Sequence, residues 1–337
     1  MKEMKKQGLK ETKTRNQLLI LQTLLKGKGV SRVELAEKTQ LSPSTVTSLT
    51  ADLLKRGIIE ESGTKVVTAG RARTELTVSD ALGYLVVLEV SHSCVYITVL
   101  NMHLEILSSR QIKGKFLDGN SVFAEAAREI TAMKGERPLA GIGILFQEDI
   151  RESSFRVMYS TGYASANISL KDALKTQFRV PVLEESVSAF TVTDLIREVG
   201  MEERNVAHIR LGASIRTVLQ IDGSTVLLKD HFVEDFSALL PNREEPPRTE
   251  IPLICKLSML LNILYAMFHL DTVLIAGKQP LPEGFLEDLV ASVSTRVTQG
   301  KKPDILLVQE GSRERTAIGF AARIRAKCIR NCLEAPV

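Results

Sequence analysis

Five hydroxyl side chains crowd into one short stretch of this sequence: Ser42, Ser44, Thr45, Thr47 and Ser48. Each is a compact donor and acceptor. At the start of a helix such groups join free backbone amides that can meet a phosphate or a base edge. Further along, Arg71 and Arg73 flank a single small residue, a pairing suited to an arm that reaches into a minor groove. Other chemistry is thinly supplied. Cys94, Cys255, Cys328 and Cys332 are scattered without metal-ligand spacing and read as reduced thiols. No catalytic set, no cofactor motif and no metal site is expected.

The elements that must position the hydroxyl cluster are signalled one after another. Thr14 is predicted to cap a first helix, RNQLLILQTLLKG, whose apolar stripe is Leu18, Leu21 and Leu25 with Ile20 and Leu24 beside it. Gly27 and Gly29 close it. Ser31 and Glu34 form a capping box for a second helix, with Val33 and Ala36 expected to face inward. Ser42-Pro43 opens a third helix as N-cap and first helical residue, and Val46, Leu49 and Leu53 make its buried face. Only Gln40 and Leu41 lie between, which is the helix-turn-helix layout. After Gly57, β-branched residues on both sides of a turn at Ser62-Gly63 predict a two-stranded wing that returns around Thr74–Val78.

Read together, Asn16 and its helix, SRVELAEKTQLSPSTVTSLTADLLKRGIIEE and Ala69-Gly70-Arg71 resemble the repressors of the ROK family over residues 14–76. In that family a winged helix-turn-helix precedes a sugar-kinase-like body of the actin/hexokinase (ribonuclease H-like) fold. Ala72 replaces the proline of the family's Gly-Arg-Pro arm, which leaves the arm less rigid. The resemblance extends more loosely over residues 80–325. Tyr84–Leu100 reads as two strands around a turn at Ser91–Ser93, and Ala140–Phe146 as a buried strand. Ser169–Phe178 reads as a helix leading into the strand around Pro181–Leu183. Asn205–Leu211, Thr217–Ile221 and Thr272–Ala276 are further strands, and Leu257–His269 and Arg315–Cys332 helices. The expected class is α/β, with a winged helix-turn-helix at residues 1–79, a first lobe at 80–195 and a second at 196–337. The C-terminal helix is expected to pack back on the first lobe.

The resemblance also implies what is missing. The family's DxGxT phosphate turn corresponds to Glu89-Val90-Ser91-His92-Ser93, where serine replaces the glycine that lets backbone approach phosphate. Val187 stands at the place of the catalytic Asp and cannot accept a proton. The GTGIG loop corresponds to Gly212-Ala213-Ser214-Ile215-Arg216, and Gln147-Glu148 replaces a Pro-Gly pair. The cysteine-rich zinc element is absent: between Asp222 and Cys255 there is only His231, which reads as a loop histidine, and Pro241–Pro252 reads as an exposed loop. Glu234 corresponds to the Glu of the family's GEIGH run, with Ser237 at its histidine. Asn167, Glu185, Arg216 and Glu234 are the candidate ligand-cleft residues, with Gly162-Tyr163 near Asn167.

Charge fits this division. Residues 1–79 hold fifteen Lys and Arg against eight Asp and Glu, whereas the remainder holds twenty-nine against thirty-two. A basic head on a slightly acidic body suits binding to double-stranded DNA. The longest uncharged apolar run, Leu257–Phe268, is about twelve residues, well short of the roughly 20 that span a bilayer. No signal peptide is read in MKEMKKQGLK, so a cytoplasmic place and no membrane contact are expected. The reading is a sequence-specific regulator, a repressor in carbohydrate-gene control. It is a homodimer on a palindromic operator and not an enzyme, with a sugar-like effector or none. The alternative is an active sugar kinase carrying an added DNA-binding head.

Overall fold

The computed structural model describes residues 2–26, 29–65, 73–133, 137–147, 150, 155–161, 164–198, 200–211, 215–226, 234–235, 253–277, 282–293, 304–308 and 311–334. Its first helix, α1 (Lys2–Lys26), begins twelve residues before Thr14, which is therefore interior and not a cap. The reason is composition: the preceding residues are mostly Lys, Glu, Met and Gln, straight side chains that lose little rotamer freedom in a helix. Ile20, Leu21 and Leu24 are buried, as is Gln17, whose amide donates to Asp52 Oδ2 at 2.7 Å while Lys13 pairs with the same oxygen at 3.2 Å.

β1 (Val30–Ser31) leads into α2 (Arg32–Thr39), and the Ser31–Glu34 capping box is complete. Val33 is 45% exposed, contrary to expectation; Leu35 and Thr39 fill the core instead. The cap fixes the phase of the helix, and a residue two before Leu35 lies about 200° away around the axis. Gln40, left-handed at φ 58°, turns the chain into α3 (Pro43–Lys55). The wing is β2 (Ile59–Lys65) and β3 (Arg73–Val78), with β1 completing a sheet of order β1-β3-β2. Ser62-Gly63 is not the hairpin turn. A register shift between Glu61 and Gly63 absorbs it as a bulge, and pairing continues to Lys65 opposite Arg73.

Two compact units divide the chain. The first comprises Met1–Ile144, Arg156–Glu184 and Ala317–Val337; the second comprises Leu145–Phe155 and Glu185–Thr316. In the first unit, beyond the head, β4 (Tyr84–Val90), β5 (Cys94–Leu100) and β6 (Ile106–Lys113) form an antiparallel meander. α4 (Gly119–Ala132) and β7 (Leu139–Phe146) follow, then the β8–β9 hairpin (Arg156–Thr161, Ala164–Ser169), α5 (Leu170–Phe178) and β10 (Val182–Ser186). The sheet order is β10-β7-β4-β5-β6. Neither β6 nor the β8–β9 hairpin is signalled in the sequence. β6 is exposed along most of its length and carries Ser, Arg, Gln and Lys, so it lacks the apolar run by which a buried strand is recognised.

The second unit starts with α6 (Val187–Glu198), then β11 (Val206–Leu211), β12 (Ile215–Ile221), β13 (Ser224–Val226) and β14 (Glu234–Asp235). α7 (Leu253–Phe268), β15 (Thr272–Gly277), α8 (Phe285–Ser292) and β16 (Asp304–Val308) complete it. Its sheet runs β13-β12-β11-β15-β16, with β11, β15 and β16 parallel and β12 antiparallel to β11. Side chains alternate across it. Ala207 and Ile209 pack on Leu257, Leu261 and Leu264 of α7, while Val206 packs with Val192 and Ile196 of α6. His208 is the polar exception among these inner positions, 5% exposed.

α9 (Arg313–Glu334) ends the chain, and from Ala317 onward belongs to the first unit. It lies directly on β7. A Cβ at Gly143 would come within 2.5 Å of Ile324 and 2.7 Å of Phe320, and one at Gly141 within 2.6 Å of Ile324. Its last turn also touches the head, where the Arg56 guanidinium at the end of α3 donates to the Cys332 carbonyl.

Two outcomes test this packing. Gly143→Ala is expected to lower unfolding free energy by about 1–3 kcal/mol in urea titration, the cost of overfilling a packed core. Burial, helped by the Arg210 charge, pushes His208 down to about 4 from 6.5, so the folded state keeps it neutral. The unfolded chain takes up that proton first, so stability falls as pH drops from 6.5 towards 4, by about 3 kcal/mol through this group. His208→Gln should show a correspondingly smaller loss between those pH values.

Candidate nucleic-acid interface and ligand cleft

The hydroxyl cluster sits at the N-terminus of α3, where its cap signals put it. Ser42 Oγ accepts from the Thr45 amide at 3.1 Å and lies 3.0 Å from Ser44 Oγ and 2.8 Å from Thr45 Oγ1. Thr47 donates its proton to the Pro43 carbonyl at 2.8 Å, which leaves its oxygen lone pairs outward. Ser42, Ser44, Thr47 and Ser48 are exposed and Thr45 half-buried, while Val46, Leu49 and Leu53 face the core. Thr50 is also buried, bonded to the Val46 carbonyl, and takes a hydrogen bond from Arg32 Nε at 3.3 Å. Its place four residues after Val46 was the available signal. Arg32 reaches Glu61 as well, at 3.6 Å, tying α2 to the wing.

Arg73 is exposed, but it is the first residue of β3, within the wing strand and not on an arm beyond it. Arg71 lies outside the described residues, as do Gly162-Tyr163, Gly212–Ser214, His231 and Ser237.

The Ser91–Ser93 turn, which the resemblance sets against a phosphate loop, is closed on itself. Ser91 donates its amide proton to the Cys94 carbonyl at 2.9 Å, and its hydroxyl both accepts from the Cys94 amide at 3.0 Å and donates to the same carbonyl at 2.9 Å. His92 accepts the Phe116 amide at its carbonyl, and its ring Nδ1 lies 3.0 Å from the Phe116 carbonyl. The Cys94 amide is thus occupied by a side chain. Val187 is the first residue of α6, which Ser186 caps by accepting the Ala189 amide at 3.2 Å.

The four cleft candidates fall on different elements. Arg216 and Glu234 lie on neighbouring strands, with Thr217 opposite Glu234 and Arg216 opposite Asp235. Glu185 is half-buried at the end of β10. Asn167 is exposed on β9, in the other compact unit, and not in a loop. Among the described residues no group of His, Cys, Asp and Glu is placed to hold a metal ion, and all four cysteines are free thiols. No described helix is long and apolar enough to cross a membrane.

Known proteins share these features. Residues 13–60 match a family model described as winged helix-turn-helix DNA-binding. The fold as a whole aligns with the crystal structure of a ROK family transcriptional regulator, a homologue of the Escherichia coli MLC protein. The TM-score is 0.62 at 15% identity, over 96% of this chain and 98% of that one. A candidate xylose repressor of Caldicellulosiruptor sp. (strain Rt8B.4) is 25% identical over 174 residues, covering 50% of this chain and 43% of the repressor. The chain's match spans less than half of that relative's length. The body also shares its fold with a candidate N-acetylmannosamine kinase of Listeria monocytogenes, which aligns over 72% of this chain and 98% of that one at 13% identity and TM-score 0.52.

Capping and contact roles on α3 should separate experimentally. Ser42→Ala is expected to cost about 1 kcal/mol of stability through loss of the N-cap. Ser48→Ala, away from the cap, should stay within about 0.5 kcal/mol of the parent in the same thermal melts.

Proposed function

We propose that this protein is a sequence-specific DNA-binding regulator of the ROK type, a repressor of genes for carbohydrate use. The observation that carries the reading is the exposed hydroxyl face at the capped N-terminus of α3, on the second helix of a complete helix-turn-helix. Such a helix enters the major groove with its first residues towards the base edges. Ser42, Ser44, Thr45, Thr47 and Ser48 serve as the contacts, with Arg71 and Arg73 on phosphate or in the minor groove. The likeness to a protein described as a xylose repressor supports the carbohydrate assignment. A homodimer bound to a palindromic operator follows from the usual symmetry of such regulators, with half-sites about one helical turn apart. The protein acts in the cytoplasm, where its DNA is.

The body serves as a non-catalytic module that needs no cofactor. Ser91 fills its own turn, and Val187 supplies no base, which favours this over the kinase alternative. Asn167, Glu185, Arg216 and Glu234 are assigned to an effector cleft; an effector-independent regulator is the competing form.

Footprinting on genomic fragments should reveal a protected, two-fold-symmetric site, and complete absence of protection would refute the reading. Arg71→Ala and Arg73→Ala should each weaken binding and reduce the salt slope by about 0.9 for every phosphate no longer neutralised. Coupled ADP release over a panel of hexoses should stay at background.

A further inference from the structure

The head meets the first lobe at two places, both within the first compact unit. One is the linker itself. Only Ser79, Asp80, Ala81, Leu82 and Gly83 separate β3 from β4, and Asp80–Leu82 form a single turn of 3-10 helix. The Ser79 amide donates to the Ile58 carbonyl at 3.0 Å, and its hydroxyl donates to Glu60 and accepts the Ala81 amide. The Leu82 and Gly83 amides donate to the carbonyls of Ser79 and Asp80. Gly83 has φ 117°, and a Cβ there would lie 2.1 Å from the Pro138 carbonyl oxygen, which accepts the Tyr84 amide at 2.9 Å. A tether that lets domains swing is rich in Gly and Ser, and few contacts cross it. This linker is bonded along its length.

Asp80, half-buried, fastens the linker to the lobe. Its Oδ2 accepts from Arg137 Nη1 at 3.0 Å, and its Oδ1 lies 3.7 Å from Nε2 of His103, in the turn after β5. The second place is the end of α9, where the Cys332 carbonyl accepts from Arg56. α9 is itself tied to the turn that carries His103, because the buried Arg325 donates from Nη1 to the Met102 carbonyl at 2.7 Å. The links close a ring. It runs from Arg56 through α9 to Met102 and His103, then through Asp80 and Ser79 back to Ile58. Exposed ion pairs are weak singly. One attachment leaves a domain free to swivel about it, whereas two at different points of a lobe remove that rotation.

We infer that this ring clasps the head in one orientation on the first lobe, with Asp80 and Arg56 as positioning residues, so that head and lobe move as one body. The consequence for DNA rests on the reading of the protein as a dimeric DNA-binding regulator. Two clasped heads stand at a fixed separation and accept half-sites at one spacing, a specificity that no base contact carries.

Nuclear magnetic resonance relaxation of the full chain tests the clasp without DNA. In the parent, the amides of α2 and α3 should share the rotational correlation time of β4 and β5. The Arg56→Ala/Arg137→Ala double variant removes no fully buried side chain. It should shorten the value for α2 and α3 by about half, through the nanosecond motion of a released domain. Arg56→Ala/Asp80→Asn should act in the same direction, and Ser48→Ala should change nothing. For the consequence, a footprinted operator fragment is lengthened by about five base pairs between its half-sites, which turns one of them to the opposite face of the duplex. The parent should then lose about a hundredfold in affinity, and the double variants about tenfold or less, because a released head regains the second half-site. The inference is overturned if α2 and α3 tumble independently in the parent, if both double variants keep the parent's correlation time, or if the parent binds both fragments equally. A parent that binds no fragment refutes the DNA-binding reading instead, and the relaxation values alone then decide the clasp.

Discussion

Gly141 and Gly143 let a 22-residue helix lie against the middle of a sheet with no side chain between them. Most of the first unit depends on that approach. Phe320, Ile324 and Cys328 of α9 fill the space that two β-carbons would otherwise take, and the Cys328 thiol donates to the Ala140 carbonyl at 3.1 Å. Burial pushes that thiol up to about 12, with the neighbouring Cys332 adding to the effect, so it behaves as a packing group and not a nucleophile. Because the last turn of α9 also receives Arg56, the helix that closes the sheet is the one that holds the DNA-binding head.

The same kind of side chain serves opposite ends in this molecule. Ser42 satisfies one amide of α3 and gathers Ser44 and Thr45 beside it, which orders a polar surface that still faces outward. Ser91 satisfies an amide and a carbonyl within its own turn, which closes a polar surface that a glycine would leave open. Hydrogen-bonding capacity is finite, and groups spent within the chain are not available to a ligand. Where the bonds go separates an outward polar face from a closed turn.

Local signals hold wherever the interaction spans a few residues. The Ser31–Glu34 box, the Ser42-Pro43 start of α3 and the buried trio Val46, Leu49 and Leu53 are all present. The departures have physical causes of the same scale. Thr14 resembles a cap, but good helix formers precede it and the helix runs through. Val33 is apolar, yet the capping box sets a phase that turns it to solvent. Ser62-Gly63 resembles a hairpin turn, but the strands pair beyond it, so the pair becomes a bulge.

By itself, the sequence determined the order of caps, turns and apolar stripes that makes the helix-turn-helix, because those bonds join residues three or four apart. It also determined the α/β alternation of the body. Only the tertiary structure decided that Gly141 and Gly143 meet α9, that Arg56 reaches Cys332, and that His208 and Asp194 line one cleft. Each of these joins residues distant in the chain, and their meeting is fixed by how sheets and helices close on one another, which no local spacing records.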